Sequence, residues 1–63
     1  MITQYSIELI KKCEDGFIAE SILARESDLD AAQALYEFCT RQFPNRIILL
    51  ADRARVLARS DCP

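Results

Sequence analysis

The one glycine in the chain, Gly16, follows Asp15 and stands between two segments that alternate apolar and polar residues. Asp-Gly in that setting is a strong hairpin signal, because a two-residue type I′ turn needs positive φ at both central positions. With Asp15 and Gly16 at the centre, Glu14 lies opposite Phe17, Lys11 opposite Glu20, Cys13 opposite Ile18, Leu9 opposite Ile22 and Ile7 opposite Ala24. Ile7, Leu9, Cys13, Ile18, Ile22 and Ala24 then share one face. A one-residue slip would mix the two faces, which selects this register.

The next segment, SDLDAAQALYEFCTRQFPN, changes period. Leu29, Ala32, Leu35, Tyr36, Cys39 and Phe43 recur at three-and-four spacing and form one helical stripe. Ser27, Asp28 or Asp30 can cap its start, where acidic groups suit the positive end of the helix, and Pro44-Asn45 stops it. Phe38 falls beside the stripe and is expected on the helix flank or against a partner.

Residues 46–61, RIILLADRARVLARSD, admit two shapes. A helix would gather Ile47, Leu50, Ala51, Ala54, Leu57 and Ala58 on one side but leave Ile48, Leu49 and Val56 outside. A hairpin with the four-residue loop Ala51-Asp52-Arg53-Ala54 pairs Leu49 with Val56 and Ile47 with Ala58 on one face. The other face then carries Ile48, Leu50, Arg55, Leu57 and Arg59. The hairpin is favoured because two strands alone are marginal, whereas four strands under one helix share a core.

The expected fold is α+β: ββαββ, a four-stranded antiparallel sheet with one helix packed on one face. Strands are expected at about 4–13, 17–25, 46–51 and 54–60, and the helix at about 29–43, all within a single domain, 1–63. The helix carries the chain to the far end of the sheet, so the third strand runs parallel to the second and antiparallel to the first. That permits the order 2-1-3-4. The run AAQALYEFCTRQFPNRIILLADRARVLARSD, about half of the chain, resembles the C-terminal half of small uncharacterised bacterial proteins with a hairpin–helix–hairpin pattern. The resemblance implies this fold and a bacterial setting, and brings no site residues with it.

Sixty-three residues bury only about 60% of the surface of the unfolded chain, so such domains often add disulfides, a metal or self-association. The three cysteines, Cys13, Cys39 and Cys62, are odd in number and lack CxxC spacing, and there is no histidine. A closed zinc site commonly takes four such ligands, so no metal or other cofactor is expected. The opening MITQYSIELIKK does not read as a secretion signal, and no apolar stretch approaches the ~20 residues of a membrane helix. Free thiols in a reducing cytoplasm are therefore expected, with no membrane partner, and self-association is the remaining stabiliser.

Charge is divided unevenly. Residues 1–40 carry a net −5 and residues 41–63 a net +3, which suits two halves that attract each other. In the hairpin reading the sheet face away from the helix exposes Ile10, Leu23, Ile48, Leu50 and Leu57 among Arg55 and Arg59. Patches of that size commonly mark interaction sites. The expected role is a small non-catalytic interaction domain, most simply a homodimer through this face, with a different protein partner using the same patch as a variant.

Nucleic-acid binding through Arg53, Arg55 and Arg59 is the alternative, since phosphate contacts come from such side chains. Against it stand a pI of 4.9 and a single aromatic, Phe17, of suitable parity on the sheet. Catalysis would need one of the cysteines as a nucleophile without histidine. Cys39 belongs to the helix stripe, Cys13 lies by the first turn and Cys62 lies in the tail, so no enzyme is expected.

Overall fold

Gly16 closes the first turn instead of forming its centre. In the computed structural model, which describes residues 4–53 and 55–61, β1 (Tyr5–Cys13) and β2 (Gly16–Glu26) are joined by Glu14 and Asp15, with Cys13 paired to Gly16. Gly16 takes φ +131°, a region that residues with a Cβ rarely occupy. The pairing then runs Lys12–Phe17, Lys11–Ile18 and Ile10–Ala19. This differs from the expected register by two residues. Two irregularities, between Leu9 and Ile10 and between Ile7 and Glu8, each insert one residue into β2, Glu20 and then Leu23. Only beyond the second does the pairing reach the expected Ile7–Ala24. Ile22 consequently lies opposite Glu8 and not opposite Leu9, on the face away from the helix.

The architecture is ββαββ: a four-stranded antiparallel sheet of order β2-β1-β3-β4 with a single helix. The helix α1 (Leu29–Gln42) starts at Asp28, whose carboxylate accepts the Ala31 N–H at 3.1 Å. Asp30 adds negative charge in the first turn and Arg41 positive charge in the last, both matched to the helix dipole. The Phe43 N–H donates to the Cys39 carbonyl at 2.9 Å and Pro44 follows, so the chain leaves the helix there. Ala32 and Cys39, seven residues apart, are the helix residues buried most deeply; Leu35 and Tyr36 pack between them. These small side chains let α1 approach the sheet closely.

The core lies between α1 and the inner strands β1 and β3 (Ile47–Asp52). Ile7 and Ile48 are fully buried, Leu50 is 2% exposed, and Leu9 completes the sheet side. Ile7 pairs with Leu50 and Leu9 with Ile48 across the β1–β3 ladder. The face assignment expected for β3 is thus reversed: Ile48 and Leu50 point to the helix, and Ile47 and Leu49 to the other side. Ile47 to Ala51 is apolar at every position, so alternation within the strand carries no information about its faces.

The last hairpin is tighter than expected. Asp52 pairs with Arg55, so only positions 53 and 54 join β3 to β4 (Arg55–Arg59) in place of a four-residue loop. Arg53 adopts φ 58°, the left-handed conformation that a two-residue hairpin requires; Ala54, also expected in this loop, lies outside the described residues. An irregularity then inserts Leu57 between the pairs Ala51–Val56 and Leu50–Ala58. This extra residue lets Ala58 join the core while Val56 stands on the opposite face, although the two are only two positions apart. Ser60 fastens the end of β4 to the start of β3: its Oγ accepts the Ile48 N–H at 2.8 Å and its own N–H donates to the Ile48 carbonyl at 2.9 Å.

Candidate interaction face

Cross-strand partners in an antiparallel sheet share a face. The pairs Ser6–Ala51, Glu8–Leu49 and Ile10–Ile47, extended outward through Lys12–Phe17, Glu8–Ile22 and Ser6–Arg25, define the side of the sheet that α1 does not cover. Ile10 and Ala51 form its floor at 8% and 2% exposure. Above them Phe17, Ile22 and Val56 are each about half exposed, at 49%, 48% and 52%. A shallow hollow of about 190 Å³ is lined by Ile10, Phe17, Ile18, Ala19, Leu49, Val56 and Arg59.

Arg59 completes this surface. Its guanidinium lies 5.1 Å from the centroid of the Phe17 ring. Nε donates to one Asp61 carboxylate oxygen at 3.0 Å and an Nη donates to the other at 2.7 Å. A planar guanidinium forked on a carboxylate and stacked on a ring is well defined in orientation. Since β2 and β4 are the outer strands, Phe17 and Arg59 meet over β1 and β3 and shelter Ile10 and Leu49 beneath them.

The residues expected on this face separate into three groups. Ile10 and Arg59 are on it. Ile48 and Leu50 are in the core on the other side, and Leu23 packs against that core. Leu57 is 41% exposed, but as the inserted residue of β4 it lines a depression with Gln33, Tyr36 and Glu37 of α1; Arg55 is exposed opposite Asp52. The residues that replace them are Phe17, Ile22, Leu49 and Val56. Phe17 was legible from its parity; the other three depend on the inserted residues and on which face β3 turns toward the helix.

The three arginines of the alternative phosphate site do not converge. Arg59 is held by Asp61 and Phe17, Arg55 is exposed at the ladder position opposite Asp52, and Arg53 lines a separate hollow of about 350 Å³ with Gln4, Ser6, Ile22 and Arg25. In that hollow the Ser6 hydroxyl donates to Glu8 at 2.8 Å. Arg46 pairs with Glu20 across β1, beside Lys11 and Lys12.

Cys39 is buried in the core, and burial pushes its thiol above the ordinary value, which favours the unreactive protonated form. Cys13 is half-buried at the first turn, and Cys62 lies outside the described residues. Among the described residues no three His, Cys, Asp or Glu side chains gather to hold a metal, and no helix is long and apolar enough to cross a membrane. No protein-family model, no curated protein and no solved structure matches the chain.

Proposed function

We propose that this chain is a small non-catalytic interaction domain that pairs with a second copy of itself through the sheet face opposite α1. The observation that carries this reading is the half exposure of Phe17, Ile22 and Val56 on one continuous face whose floor, Ile10 and Ala51, is already dry. A second support is the slender core, whose buried cluster among the described residues consists of six side chains, two of them Ala32 and Cys39. A domain of this size gains stability from covering further apolar area. Arg59 suits such an interface because its stem covers apolar surface while its head stays fixed by Asp61 and Phe17.

Light scattering in the presence of reductant, over a range of concentrations, tests the proposal. The expected mass is about twice 7.2 kDa, and Val56→Glu is expected to halve it while leaving the far-ultraviolet circular dichroism unchanged. Leu57→Glu, one position along but on the helix side, is expected to leave the dimer intact. A monomeric wild-type chain at every concentration would refute the proposal.

A further inference from the structure

The open face is self-complementary in charge about Ile10. On β1 the residues of this face are Ser6, Glu8, Ile10 and Lys12, so a negative and a positive side chain stand two positions to either side of Ile10. Further out the signs reverse. At one end lies the Glu14-Asp15 turn, whose two carboxylates form no hydrogen bond or ion pair among the described residues. At the other end lies the hollow lined by Gln4, Ser6, Ile22, Arg25 and Arg53, in which two guanidinium groups flank a hydroxyl and an amide. Arg25 forms no ion pair among the described residues. Ser6 and Glu14 each stand four residues from Ile10 in the sequence, Ser6 within β1 and Glu14 in the turn that follows it.

A dimer that stacks two such faces can place its twofold axis in two ways. An axis along the strands sets each hollow over its own copy, so that Arg25 and Arg53 meet Arg25 and Arg53, and like charges face one another. An axis across the strands through Ile10 reverses the second sheet end for end. Lys12 then lies over Glu8 of the second copy, and the acidic turn lies over its Arg25–Arg53 hollow. The turn, Ser6, Ile22 and Arg25 belong to the β1–β2 hairpin and so coincide laterally as well as lengthwise, while Arg53 reaches the hollow from the β3–β4 turn at the same end of the sheet. Sheets stacked in this way lie within about 30° of alignment, which keeps these contacts in register near the axis.

We infer that the occupant of the open face is a second copy in this reversed orientation, with the Glu14-Asp15 turn of each chain docked in the Arg25–Arg53 hollow of the other. The inference rests on the self-association proposed above and specifies its geometry. The apolar floor provides the contact area, and the charges select the axis.

Charge exchange tests it. Glu14→Lys/Asp15→Lys and Arg25→Glu/Arg53→Glu are each expected to raise the dimer dissociation constant by about 100-fold or more, because each puts like charges at both ends of the interface. An equimolar mixture of the two variants is expected to dimerise like the wild type, because each turn then meets a hollow of opposite charge. If the wild type dimerises and the variants dimerise equally well, this geometry is wrong while self-association stands. If both variants are monomeric and the mixture remains so, the turn and the hollow are not partners. A wild type that is itself monomeric overturns both proposals. A milder variant guards against misfolding: carbodiimide treatment of Arg25→Lys is expected to link position 25 of one chain to Glu14 or Asp15 of the other. Intermolecular links found only elsewhere would refute the arrangement.

Discussion

The Arg59 guanidinium lies 5.1 Å from the Phe17 ring centroid, so the two outer strands, β4 and β2, touch across the two inner ones. The outer strands of a flat four-stranded sheet are about 14 Å apart, and only a long side chain reaching inward from each can close that span. The contact covers Ile10 and Leu49, and explains how Ile10 falls to 8% exposure on a face with no helix above it. It also ties the last strand of the chain to the first hairpin, which α1 does not do on this side.

That contact predicts an energetic coupling between Phe17 and Arg59. A double-mutant cycle of Phe17→Leu and Arg59→Gln, read by urea denaturation, is expected to show a coupling of about 0.5–1 kcal/mol, the range of a partly exposed cation–π pair. The cycle should be run below the concentration at which the chain associates. Additive single effects would show that the ring and the guanidinium are neighbours without mutual stabilisation.

The reversal of β3 predicts opposite sensitivities for adjacent positions. Ile48→Ala removes a fully buried side chain and is expected to cost about 2–5 kcal/mol, enough to unfold a domain of this size. Leu49→Ala, on the other face, is expected to cost clearly less in the monomer and to weaken dimerisation instead. Thermal melts followed by circular dichroism separate the two, and equal losses would contradict the face assignment.

Arg53 predicts a trade between stability and association. Its φ of 58° is unfavourable for a residue with a Cβ by about 1–2 kcal/mol, partly offset by the greater flexibility of glycine in the unfolded chain. Arg53→Gly is therefore expected to stabilise the monomer by about 0.5–1 kcal/mol, visible as a higher urea midpoint, while the dimer weakens because a guanidinium is lost from the hollow. A destabilised monomer would mean that the contacts of the Arg53 side chain outweigh the backbone cost.

Cys39 predicts a loss of stability in alkaline solution. Burial raises its thiol above the ordinary value of 9.0, so the folded chain retains this proton when the unfolded chain has lost it. In that interval the unfolded state binds fewer protons, and stability falls as pH rises. The contribution is fully present below pH 9 and declines above it. Urea midpoints from pH 7 to 10 are expected to drop more for the wild type than for Cys39→Ala. Alkylation under native conditions is expected to modify half-buried Cys13 before Cys39.

The first hairpin and the helix of this protein are local facts of its sequence, whereas residues 46–61 fit a helix as well as a hairpin until four strands share one core. Alternation on either side of Asp15-Gly16 specifies a hairpin, and three-and-four spacing after Asp28 specifies a helix that Pro44 ends. A helix that returns the chain across the sheet permits the observed strand order, β2-β1-β3-β4, without requiring it. The detail of the turns was less accessible. Gly16 supplies the positive φ that the hairpin needs but does so at the closing pair, and Arg53 adopts a left-handed conformation that its residue type does not advertise.

The interaction face shows where local information ends. Each residue inserted at Glu20, Leu23 and Leu57 redirects the side chains that follow it, and nothing in the strand sequences marks those positions. Ile10, Phe17 and Arg59 were identifiable by parity, because no inserted residue changes the face on which the expected alternation puts them. Val56, Ile22 and Leu49 were not. The sequence by itself thus determined the first hairpin and the helix; residues 46–61 became strands only through the core that four strands share, which leaves one sheet face uncovered. Tertiary structure alone decided which residues form that face. Ile47, Ile48, Leu49 and Leu50 have nearly equal transfer free energies, so burying either pair is equally favourable until β1 sets the ladder and Ala32 and Cys39 of α1 leave room for Ile48 and Leu50.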